Sequence, residues 1–93
     1  MWVKYNPNWL VNLLKEQLPE KIEIIEAAKQ CTRGVWEKKN YIYFVTLKNA
    51  DLPGAEWQFK ENLILEDPTR GMIVIDILKD GRVGGIQFES LEE

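Results

Sequence analysis

The run Met72-Ile73-Val74-Ile75-Asp76-Ile77-Leu78 constrains this chain more than any other segment. It is rich in β-branched residues, so it reads as a strand. Period two then puts Ile73, Ile75 and Ile77 on one side and Met72, Val74 and Leu78 on the other. A sheet with one wet face alternates apolar with polar residues. This strand is apolar on both faces, so the fold must cover both.

A second segment repeats the pattern. Residues 40–48 place Ile42 and Phe44 on one side and Tyr41, Tyr43, Val45 and Leu47 on the other. Lys79-Asp80-Gly81-Arg82 carries the Asp-Gly signal of a tight hairpin turn, and Val83 to Glu89 returns as the partner strand. Residues 55–65 form a further predicted strand, with Trp57 and Phe59 on one face. The turn Asp67-Pro68-Thr69-Arg70-Gly71 separates it from residues 72–78. Lys21-Ile22-Glu23-Ile24 alternates with period two and predicts a strand over 21–28, although Ile25 to Gln30 is rich in helix formers. The acidic end, residues 89–93, is expected to fray.

One helix is expected over about 7–18. Leu10, Leu13, Leu14 and Leu18 follow at i, i+3, i+4 and i+8, with Asn6-Pro7-Asn8 as the start signal and Pro19 as the stop. The expected architecture is α+β: one N-terminal helix on a curved antiparallel sheet of four or five strands, all within one domain spanning 1–93. A twelve-residue helix is about 18 Å long and covers one face of such a sheet. The second face needs a second helix at 19–31, a strongly curled sheet, a second copy of the chain, another protein or a ligand.

Composition narrows the function by exclusion. The 93 residues contain no histidine and a single cysteine, Cys31, which removes the usual nucleophile–base pairs, internal disulfides and zinc sets. Twelve basic against fifteen acidic residues give a net charge of −3, unlike a duplex-binding surface. No metal or cofactor motif is present, because Gly81, Gly84 and Gly85 lack the strand-to-helix setting of a phosphate loop. No signal-peptide pattern or membrane-length apolar run is visible, so a cytoplasmic setting with no membrane partner is expected.

Two candidate sites remain. Met72, Val74, Leu78, Val45, Leu47, Tyr43 and Trp36 are the expected binding surface, on the second sheet face. The corresponding function is a small acidic non-catalytic binding domain, one form of which is an immunity- or antitoxin-type inhibitor of a basic enzyme. The expected partners are a second copy of the chain or another protein, a basic one included. The alternatives are a homodimeric structural protein and a pocket under a curved sheet. In that pocket Asp76, on an apolar face, serves as the acid–base group with Tyr41 or Tyr43 beside it.

Overall fold

A computed structural model describes residues 1–90. In chain order the elements are β1 (Val3–Lys4), α1 (Asn8–Gln17), α2 (Ile22–Lys29), β2 (Arg33–Lys38), β3 (Tyr41–Tyr43), β4 (Phe59–Asp67), β5 (Gly71–Leu78) and β6 (Val83–Phe88). The strands form one antiparallel sheet in the order β1-β2-β3-β6-β5-β4, which is neither closed nor strongly curled. Only residues 91–93 of the acidic end expected to fray lie outside the described residues.

α1 forms where the leucine spacing places it. The Asn6 side chain accepts a hydrogen bond from the Asn8 N–H at 3.0 Å, and Pro7 supplies the entry angle. Leu10, Val11, Leu13 and Leu14 are its buried residues. The Leu18 N–H still reaches the Leu14 carbonyl at 2.7 Å, and Pro19 then breaks the turn.

The predicted strand at 21–28 is the helix α2. Period two at Lys21–Ile24 covers only four residues, whereas Ile25 and Ala28, three apart, are the two buried positions. Ile22 is 67% exposed, which strand alternation with Ile24 does not explain. Glu, Ala and Lys make the second half a good helix, and tertiary burial of Ile25 and Ala28 decides the segment.

Both helices lie on the same sheet face. Leu10, Leu14, Ile25 and Ala28 pack in one cluster with Ile42, Ile73, Ile75, Ile77 and Ile86, so the expected inward isoleucine row is the core. The sheet has six strands instead of four or five. β1 and β2 lacked strong patterning, and β3 spans three residues instead of nine because the chain bends away at Phe44. β4 starts at Phe59, so Trp57 sits in the preceding loop. β5 and β6 occupy nearly their expected bounds, joined at the Asp80-Gly81 turn with Gly81 at φ +92°.

The second face is covered at one end by the chain itself. Residues 45–58 fold back over it, burying Val45 and Trp57 against Leu78, with Leu47 and Ala50 packed alongside. This segment is tied down by its own bonds. The Asp51 N–H donates to the Trp57 carbonyl at 2.8 Å, and the Phe59 N–H donates to Asp51 Oδ1 at 2.7 Å. Asn49 and Asp51 take positive φ, which these short polar residues tolerate.

β4 is a nine-residue sheet edge. Its Glu66 is clipped by a helix side chain: Gln17 Nε2 donates to the Glu66 carbonyl, and the Glu66 N–H reaches Gln17 Oε1 at 3.4 Å.

Candidate functional site

The residues expected to form one surface divide into three environments. Leu78 is buried under the 45–58 segment, which contributes Val45 to the same buried cluster, and Leu47 packs beside them. Tyr43 packs against the same cluster and meets the Trp2 ring edge-on at 5.9 Å. Met72 and Val74 stay on the open part of the second face, beside Ile64, which is 63% exposed. Trp36 lies on the helix side of the sheet, with its ring 5.9 Å from Phe88. It therefore does not share a surface with Val74 or Leu78.

Asp76 is half-buried on the second face and held from two sides. The Tyr41 hydroxyl donates to Oδ2 at 2.8 Å, and the Asn62 amide donates to Oδ1. Tyr41 reaches it from β3 by crossing over β6 at Gly85, where a Cβ would collide with the tyrosine ring carbon Cζ at 2.7 Å. Neighbouring Gly84 makes the same allowance for Trp57, whose ring lies 2.7 Å from where a Cβ would be. Desolvation raises the Asp76 pKa above its ordinary value and outweighs the two donated bonds. Burial pushes the Tyr41 phenol up as well, and the bond to Asp76 adds to this. Both oxygens of Asp76 are engaged by neutral donors, which is the pattern of a satisfied structural carboxylate.

A cavity of ligand size is on the opposite face. It is an open cleft of about 850 Å³ where the start of α1 meets β2, the end of β6 and the 68–71 turn. Tyr5, Trp9, Trp36 and Phe88 line it. The four rings form a closed circuit. Tyr5 meets Trp36 at 6.3 Å and 62°, Trp36 meets Phe88 at 31°, and Phe88 meets Trp9 at 5.7 Å and 40°. The Trp9 indole N–H then closes the circuit by donating to the Tyr5 hydroxyl at 3.1 Å. Tilted and edge-on pairs at these separations are favourable ring geometries.

Local structure explains the arrangement. Tyr5 and Trp9 stand four residues apart across the Asn6-Pro7 entry to α1, and the Tyr5 N–H is anchored to the Thr32 carbonyl at 2.8 Å. Arg70 enters from the β4–β5 turn, with its guanidinium carbon 4.1 Å from the Trp9 ring centroid. Asp67 holds that turn, accepting from the backbone N–H of Arg70 at 2.6 Å and of Thr69 at 3.1 Å. Desolvation raises the Asp67 pKa, and these bonds with the Arg70 charge outweigh it, leaving the carboxyl below its ordinary value. Burial pushes the Tyr5 phenol up, so it stays protonated at neutral pH.

Of these cleft residues only Trp36 was a sequence candidate. Tyr5 and Trp9 carry a faint signal, two aromatics four apart at a helix start. Arg70 carries none, because 61 positions separate it from Trp9 and only the fold joins them. Among the described residues no group of three or more metal-ligating side chains occurs, and no helix is long and apolar enough to cross a membrane. Comparison with family models, curated proteins and solved structures finds no match for this chain.

Proposed function

We propose that this chain is a non-catalytic binding module whose ligand site is the aromatic cleft of Tyr5, Trp9, Trp36 and Phe88. The supporting observation is the closed ring circuit around a cavity of about 850 Å³. Small-molecule sites commonly occupy about 300–1,000 Å³ and combine apolar walls with a few placed polar groups. Trp36 is 44% exposed although it stacks on Phe88, so a bound ring has a face to cover.

The test is a titration with flat bicyclic probes, read by indole N–H resonances and tryptophan emission. Binding that shifts the Trp9 and Trp36 signals, and weakens in Trp36→Ala, supports the reading. No binding of any such probe at about 1 mM, an affinity of about 4 kcal/mol, removes it.

A second reading is self-association through the open part of the second face. Ile64 carries it, exposed on the β4 edge next to Met72 at 40% exposure. Light scattering decides it: a mass twice 10.9 kDa that falls to one copy in Ile64→Lys supports the dimer, and a single-copy mass removes it.

A further inference from the structure

We propose, on the reading of the cleft as the binding site, that it takes a flat aromatic ring carrying a carboxylate. The ring lies among Trp9, Trp36 and Phe88, and the carboxylate meets Arg70. Asn6, Thr69, Ser90 and the Tyr5 hydroxyl give the cleft polar groups that both donate and accept, and Arg70 adds a cationic group that only donates. The Tyr5 hydroxyl accepts from Trp9, and its own proton has no acceptor among the described residues. The Ser90 hydroxyl lines the same cleft. Among the described residues no aspartate or glutamate lines it, and Arg70 is the one charged side chain of its wall.

The charge of Arg70 is only partly spent within the protein. Asp67 touches it through Nη1 at 3.4 Å, longer than a good charge-assisted bond. The same Asp67 oxygen already closes the turn through two backbone N–H bonds. Nε and Nη2 of Arg70 have no partner among the described residues. Stacking over Trp9 fixes the guanidinium without using its N–H groups, and a planar fork of free donors matches a carboxylate in two-point contact. The net charge of −3 opposes an anion at long range, but salt screens that field within about 8 Å at physiological ionic strength. The contact at Arg70 lies well inside that distance.

The experiment uses the full chain and three probes sharing one ring system: 2-naphthoate, 2-naphthylmethanol and 2-naphthylmethylammonium. Calorimetry or tryptophan emission gives the three affinities. The expected order is naphthoate tightest, by about tenfold over the alcohol, with the ammonium weakest. Arg70→Gln, checked for unchanged circular dichroism, brings naphthoate level with the alcohol. Arg70→Lys recovers part of the preference, because it restores the charge without the fork. Trp36→Ala weakens all three probes by a similar factor. Equal binding of the three probes overturns the carboxylate assignment and leaves the cleft standing as the site. Tightest binding of the ammonium overturns it in favour of a cation cage. A naphthoate preference that survives Arg70→Gln overturns it too. Absence of all binding removes the cleft and the carboxylate together.

Discussion

The Tyr41 hydroxyl donates to Asp76 Oδ2 at 2.8 Å from two strands away, passing over a residue that has no side chain. The intervening strand contributes Gly85, and a Cβ there would stand 2.9 Å from the Ile42 carbonyl oxygen as well as against the tyrosine ring. Gly85→Ala is therefore expected to cost about 1–3 kcal/mol, as overpacking does. Urea denaturation measures it. Tyr41→Phe in the same chain relieves part of the crowding, so the two losses are less than additive. Strict additivity would place the tyrosine elsewhere.

Asp76 predicts a pH dependence of definite sign. Its folded pKa is raised above the ordinary value of 3.8, chiefly by desolvation. The folded state therefore holds this proton more tightly than the unfolded chain does. Its contribution is most favourable below 3.8 and is lost as pH rises through the folded pKa. Asp67 and Asp80 have lowered values and act in the opposite sense, so the wild type alone is not diagnostic. Asp76→Asn keeps a group able to bond both Tyr41 and Asn62. Relative to that variant, the wild type should gain stability between pH 7 and pH 4. A difference that is flat or reversed across this range contradicts the raised value.

The two helices predict contrasting alanine series. Leu14 is fully buried, and Leu14→Ala should cost about 2–5 kcal/mol. In α2, Ile25→Ala should destabilise strongly, while Ile22→Ala, at an exposed site, should stay within about 0.5 kcal/mol. A strand over the same residues would group Ile22 with Ile24 and reverse this contrast. Thermal or urea unfolding of the two variants separates the geometries.

Gly81 isolates a backbone effect. It sits at φ +92° with nothing within 4 Å of where a Cβ would be. An added Cβ therefore meets no neighbour, and the cost of Gly81→Val, at least about 1–2 kcal/mol, comes chiefly from the left-handed conformation. Gly81→Asn should lose less, because asparagine tolerates that region. Equal losses in the two variants would point to contacts instead of conformation.

Cys31 is 3% exposed, and burial pushes its thiol up to about 12. Labelling by a disulfide reagent at pH 8 should proceed only through opening of the fold and accelerate with added urea. A rate matching that of a free thiol would place Cys31 at the surface.

Periodicity in the sequence was enough for α1, for β5 with β6, and for the inward isoleucine row. Each is a local pattern longer than its competitor. It failed at residues 21–28, where four alternating residues outweighed the i, i+3 pair that burial favours. It also failed at the second face, where the covering element was a loop without period. Trp57 and Val45 come from that loop, and they meet Leu78 only after Gly84 has made room. The cleft was least legible of all. Its circuit joins Tyr5 and Trp9, on either side of the entry to α1, with Trp36 and Phe88, which belong to two non-adjacent strands. No spacing rule relates positions brought together by sheet order.

The Gln17 clip on Glu66 has a consequence for how copies of this protein meet at high concentration. The far edge of the sheet, β1, is two residues long, so β4 is where a foreign strand would find a long template. A helix amide occupies the outward N–H and carbonyl of Glu66 and stops such growth one pairing from the end of β4. Lys60 and Glu61 at the other end guard the edge by charge, which salt weakens. The glutamine is neutral, so its protection persists in high salt, the condition that weakens charged guards.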